Sequence, residues 1–246
     1  MFLTEARLPD IMMKQYKYKL NSYIGAFQSL MLTQLLGLLL SFSGTSSMSS
    51  GFSDSVDISI RFYTGDIIIA FTMVWAFLTG ILLTTKAYRY DDFTFVTSRF
   101  TSNLSSMLFL ATSSLIGAVT ALLAGVLLKV IIHFTSDATP LGFQPLEDLH
   151  IGILAACFSL LLLSAAGYFI GMLVQIHKLV AFLLPVLFVG MLVIDAKNGS
   201  EEGILFHIAS FFADSSLGVF GLKTLLGTAI LYACSIVISN RLEVRS

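Results

Sequence analysis

Long apolar runs recur along this chain, and no other feature limits its folding as strongly. They lie near Tyr23 to Phe42, Asp66 to Thr85, Leu104 to Leu128, Ile151 to Val174, Leu179 to Ile194 and Leu217 to Ser239. A helix that crosses the hydrocarbon core of about 30 Å needs about 20 mostly apolar residues, because each residue rises about 1.5 Å. Within 246 residues, about six such spans fit and little is left over. A barrel would show alternating strands of about 10 residues, and no such period is present. Soluble domains are roughly half apolar and a quarter charged. Here 56% of residues are hydrophobic and 12% charged, and the mean hydropathy is +0.88. The expected fold is therefore all-α, a polytopic membrane protein with one transmembrane domain over residues 1–246.

The first run exceeds the roughly 7 to 15 apolar residues of a signal-peptide core and follows a long polar segment, so it reads as a retained span. Orientation follows from the basic residues. Arg7, Lys14, Lys17, Lys19, Lys86, Arg89, Arg99, Lys178, Arg241 and Arg245 fall on one side of the runs, against Arg61, Lys129, Lys197 and Lys223 on the other. The positive-inside rule places the first set, and with it both termini, in the cytoplasm of a cell membrane. No aqueous domain remains: the longest polar stretches are the N-terminal segment, the Ser-rich loop from Ser43 to Arg61 and the cytoplasmic loop 86–103. No nucleic-acid partner is expected. Cys157 and Cys234 lie inside spans as small apolar residues, which implies neither a disulfide nor a metal site.

Each connecting segment has its own character. In residues 1–22, Leu8, Ile11, Met12, Tyr16 and Leu20 recur at helical spacing opposite Asp10, Lys14, Lys17 and Asn21. This pattern is an amphipathic helix on the cytoplasmic membrane surface, with a disordered basic tail as the alternative. In 86–103, Asp91, Asp92 or Thr94 can start a short helix, and Thr101 or Ser102 can cap the next span. Phe93, Phe95 and Phe100 alternate with charges there, either as a docking surface or as groups dipping into the interface. Gln175 to Lys178 leave room only for a tight turn and a helical hairpin, and Pro185 should kink the fifth span. In 195–216, the apolar stretch from Gly203 to Ala213 is too short to cross and reads as a re-entrant or interfacial helix.

Small residues repeat at helical spacing as Gly117, Ala121 and Gly125 in the third span, and as Gly167 and Gly171 in the fourth. Such faces let helix backbones approach closely, within one subunit or across a dimer seam. Lys223, and likewise Lys129 with His133, reads as an interfacial anchor more readily than as a buried functional charge. The pair Asp91 and Asp92 resembles a magnesium-diphosphate carboxylate pair only weakly, since adjacent side chains diverge on a helix. Glu201, Glu202 and His207 do not match a zinc pattern, and Gly218 to Thr224 fails the phosphate-loop spacing. Neither a catalytic nor a metal site is expected.

The ordered set is specific as an arrangement: an amphipathic helix, two spans, an aromatic cytoplasmic loop, a close pair of spans, a tight turn and a short apolar segment before the last span. It resembles the membrane subunit of ABC exporters of the ABC-2 (type V) class over essentially the whole chain. The resemblance implies a homo- or heterodimer of permease subunits, each bound to a separate ABC ATPase that holds ATP and magnesium. No cofactor is implied in this chain. Arg89, Asp91, Asp92, Phe93, Phe95, Arg99 and Phe100 would form the main ATPase-coupling helix, with His177 and Lys178 as a minor contact. Ile204, Phe206, Phe211 and Phe212 would belong to an outer gate, and the N-terminal helix would be the connecting helix. The implied cargo is an antimicrobial peptide, a drug or another amphipathic molecule, exported along the dimer interface. An intramembrane lipid-modifying enzyme and an ATP-independent immunity protein are the competing classes.

Overall fold

The computed structural model describes residues 8–42, 46–52, 56–62, 65–85, 87–88, 98–135, 149–176, 179–198, 210 and 216–241. In chain order these form α1 (Leu8–Ser22), α2 (Ile24–Ser41), β1 (Ser46–Phe52), β2 (Val56–Phe62), α3 (Asp66–Leu83), α4 (Arg99–Thr135), α5 (Leu149–Ile176), α6 (Val180–Asn198) and α7 (Leu217–Arg241). Length and composition qualify 5 of the helices as membrane spans, namely α2, α3, α4, α5 and α7 up to Ser239. The expected sixth, α6, is helical, but its described apolar stretch Val180–Met191 is shorter than a full crossing.

Burial reverses the pattern of a water-soluble protein. Leu32, Leu35, Leu78, Leu123, Leu222 and Ile230 are exposed, while Ser105, Ser113, Ser114, Ser164, Thr72, Thr224 and Ser235 are buried. That distribution suits an apolar solvent, where exposed leucine is at no disadvantage. A buried hydroxyl needs an internal acceptor, and helix carbonyls supply it to several of these: Thr72 donates to the Ile68 carbonyl at 2.7 Å and Ser235 to Leu231 at 2.8 Å.

At the centre of the bundle α5 lies between α3, α4 and α7, with α2 on the far side of α3 and α4. The α3–α5 contact is made by backbones. A Cβ on Gly80 would strike the Ser164 carbonyl oxygen, one on Gly167 the Phe77 carbonyl, and one on Gly171 the Thr84 side chain. Gln175 on α5 also donates to the Thr84 carbonyl at the end of α3.

At 37 residues, α4 runs for about 55 Å, well beyond a hydrocarbon core of about 30 Å. It exceeds its expected limits of Leu104 and Leu128 at both ends. Gly65, just before α3, touches Gly125, so the last turns of α4 continue past the start of α3, and Phe134 there is 84% exposed. At the other end the helix begins at Arg99. Its cap is Ser98, whose Oγ accepts from the Thr101 N–H at 3.3 Å, so the expected caps Thr101 and Ser102 lie within the first turns instead.

Two further expectations change. The Ser-rich loop contains an antiparallel hairpin, with Ser46 paired to Phe62 and Phe52 to Val56. The expected helical hairpin of α5 and α6 does not close. Phe182, Leu183, Val186, Phe188 and Val189 are all exposed, and α6 packs closely against none of the described helices. A turn fixes connectivity but not packing, and α6 has no small-residue face like that of Gly167 and Gly171 to lay against α5.

Candidate functional site

One cluster of polar groups lies at the end of the bundle where α4 begins. The apolar stripe of α1 packs onto the first turns of α4, and Lys14, Lys17, Asn21 and Asp10 on its opposite face are exposed. In the middle of the stripe, one helical turn apart, sit Gln15 and Lys19, each only 1% exposed. The Lys19 ammonium donates to Ser106 Oγ at 2.7 Å and to the Ser102 carbonyl at 3.3 Å. A buried lysine must make such bonds, because desolvating a charge without polar contacts is costly. Both amide atoms of Gln15 are buried with no hydrogen-bond partner.

Arg99 opens the first turn of the same helix, α4. Its guanidinium donates to the Ser239 carbonyl near the end of α7 at 3.2 Å, while Phe100 next to it is 49% exposed. An aromatic group closes the site above. Tyr23, at the α1–α2 junction, stacks edge-on with Tyr88 at 4.6 Å and with Phe109 at 5.7 Å, and its hydroxyl donates to the Tyr88 carbonyl at 3.4 Å. The start of α4 is thus tied to α1 and to α7, and Tyr23 links Tyr88 in the loop 86–103 to Phe109 further along α4.

Deeper in the bundle, Tyr168 donates to Asn103 Oδ1 at 2.8 Å and stacks on Tyr232 with centroids 6.1 Å apart, which joins α4, α5 and α7. Asn103 Nδ2 and Ser113 Oγ are buried without partners. Nearer the other end, Gln34 on α2 donates to Thr120 Oγ1 at 2.9 Å, to the Gly117 carbonyl at 3.3 Å and to Thr72 Oγ1 at 3.4 Å. Trp75 Nε1 donates to Ser29 Oγ at 2.9 Å.

Of the residues singled out in the sequence, Arg99 and Phe100 belong to this site. Arg89, Asp91, Asp92, Phe93, Phe95, His177 and Lys178 lie outside the described residues, as do Ile204, Phe206, Phe211 and Phe212. The small residues fall on contacts within the chain. Gly117 faces Thr72, Trp75 and Leu160, Gly125 faces Gly65, Ala121 is 1% exposed, and Gly167 and Gly171 meet α3. Among the described residues no group of His, Cys, Asp and Glu is placed to hold a metal, and Cys157 and Cys234 are free thiols.

Sequence reasoning missed Lys19 and Gln15 as buried groups, although a helical projection puts both inside the apolar stripe of Leu8, Ile11, Met12, Tyr16 and Leu20. Gln34 was legible as an amide inside an apolar run, but its acceptors on two other helices were not. No family model, curated protein or solved structure matches this chain.

Proposed function

We propose that this chain is the membrane permease subunit of an ATP-driven exporter of the ABC-2 class, with both termini cytoplasmic. In this reading it works as a dimer with ATPase subunits on separate chains. The observation that supports the reading best is the way two cations tie the start of α4: Lys19 joins it to α1, and Arg99 joins it to the end of α7. A displacement delivered to the segment just before α4 reaches the N-terminal helix and the last span together. A motor protein docked on that segment could then shift the packed bundle between two arrangements. The described spans also bury hydroxyls and amides but no carboxylate, which favours an external energy source over a relay of protonated acids. The cargo in this reading is an amphipathic peptide or drug.

The test begins with the tagged chain purified from its native host in mild detergent. A Walker-type ATPase should co-purify, and inside-out vesicles should take up a fluorescent amphipathic peptide when ATP is added. Lys19→Met should leave the ATPase bound yet lower ATP-coupled uptake, because it removes the ties to Ser102 and Ser106 while keeping the shape of the side chain. If no ATPase co-purifies and none restores uptake, the proposal fails. A lipid-modifying activity abolished by Asp91→Asn with Asp92→Asn would establish the enzyme class in its place.

A further inference from the structure

We infer that the β1–β2 hairpin is a membrane-surface element and that the occupant of its apolar register is the lipid headgroup–acyl boundary. The hairpin register sorts its residues cleanly. Positions of one parity pair Met48 with Ile60, Phe52 with Val56, Ser50 with Ile58 and Ser46 with Phe62. Positions of the other parity pair Ser47 with Arg61, Ser49 with Ser59 and Gly51 with Asp57. Alternate residues of a strand fall on opposite faces, so every large apolar residue of the hairpin belongs to one face, and the other holds only Ser, Gly, Asp and Arg. A lone two-stranded hairpin is at best marginal in water and needs something to cover such a face. No described helix packs closely against it.

Connectivity indicates what covers it. β1 begins five residues after Ser41, the end of α2, and β2 ends four residues before Asp66, the start of α3. An extended chain covers at most about 3.6 Å per residue, which holds the strand ends within about 18 and 14 Å of the two span ends. The open end of the hairpin, where Ser46 pairs with Phe62, is therefore held near the bilayer. The exposed surface of α2 leads directly to it: Leu36, Leu39, Leu40 and Phe42 are all exposed in the last turns before the hairpin. An apolar face tethered at both ends to the membrane boundary, with Asp57 and Arg61 on the opposite face, matches an amphipathic element lying in the interface. The inference is independent of the exporter proposal and of which side of the membrane the hairpin occupies.

Single cysteines at Met48, Ser49, Ile58, Ser59 and Ile60, in a Cys157→Ala, Cys234→Ala background, would carry nitroxide labels in nanodiscs that hold one copy of the chain. Collision with a water-soluble nickel chelate should be several-fold weaker at positions 48, 58 and 60 than at 49 and 59, with the opposite order for oxygen. In such discs no second chain is available to cover the hairpin, and low oxygen access at 48, 58 and 60 would mark cover by protein and overturn the inference. Equal nickel access at both parities overturns the inference. So does an alternation that appears only in discs with two copies, which would make a second chain the occupant. Ile60→Asp should raise nickel access at position 58 while Trp75 emission stays unchanged. If access at 58 stays low in this folded variant, the interfacial assignment fails.

Discussion

Gly167→Ala is expected to loosen the α3–α5 contact, and the structure gives its size. The added Cβ would meet the carbonyl oxygen, carbonyl carbon and Cα of Phe77. These are backbone atoms and cannot rotate away, so α3 and α5 must separate by roughly 1 Å to restore ordinary van der Waals distance. Separation disturbs Ala76, Thr79, Ser164 and Tyr168, all buried along the same contact. Overpacking of this kind costs typically about 1 to 3 kcal/mol, and a rigid obstacle argues for the upper end. Alanine regains about 1 kcal/mol of helix propensity over glycine, leaving a net loss of about 2 kcal/mol. For a chain of this length each kcal/mol moves the midpoint by roughly 2 to 4 °C, so Tm should fall by about 4 to 8 °C. Gly190→Ala on α6 is the matched control. Nothing lies within 4 Å of its Cβ position, so only the propensity gain remains and Tm should hold or rise. Thermal loss of the monodisperse peak in detergent reads both variants. A Gly167→Ala protein as stable as wild type, or one that tracks Gly190→Ala, would refute the reasoning.

Gln34→Leu keeps the side-chain volume close but removes the amide that joins α2 to α3 and α4. Interhelical hydrogen bonds in membranes average about 0.6 kcal/mol and reach about 1.7, so the loss should be about 1 to 2 kcal/mol. An unfolding midpoint in SDS equal to that of wild type would contradict this. Trp75 is the sole tryptophan and is 5% exposed, so folded-state emission should be blue-shifted and resist acrylamide. Quenching as strong as in the denatured chain would show that Trp75 is not enclosed by the bundle.

Much of the architecture was legible because lipid imposes a simple length rule. The runs at Tyr23 to Phe42, Asp66 to Thr85, Ile151 to Val174 and Leu217 to Ser239 correspond to α2, α3, α5 and α7 within a few residues at each end. The ends of α4 were not legible, because helices continue past the bilayer wherever caps and neighbours allow. Ser98 sets its start, and its last turns run on past the Gly65–Gly125 contact to Thr135. The hairpin was missed because its first strand is mostly serine, and pairing, not composition, makes it a strand. Of the site, Arg99 and Phe100 were singled out in the sequence, as part of a docking surface or of the membrane interface, whereas the bonds of Arg99 to α7 and of Lys19 to α4 join residues 140 and 87 positions apart. No local pattern encodes such partners.

The sequence by itself determined that this chain is a set of apolar helices, because a medium without hydrogen-bonding groups forces the backbone to satisfy itself over spans of sufficient length. Which helices touch was decided only in three dimensions. Lipid is as apolar as leucine, so hydrophobicity cannot rank one helix pair above another, and the choice falls to shape and to buried polar groups. Gly80 and Gly167 let α3 and α5 meet backbone to backbone, and Gln34 and Lys19 find their acceptors on other helices. The apolar stretch of α6 from Val180 to Met191 has neither device, and α6 packs closely against none of the described helices.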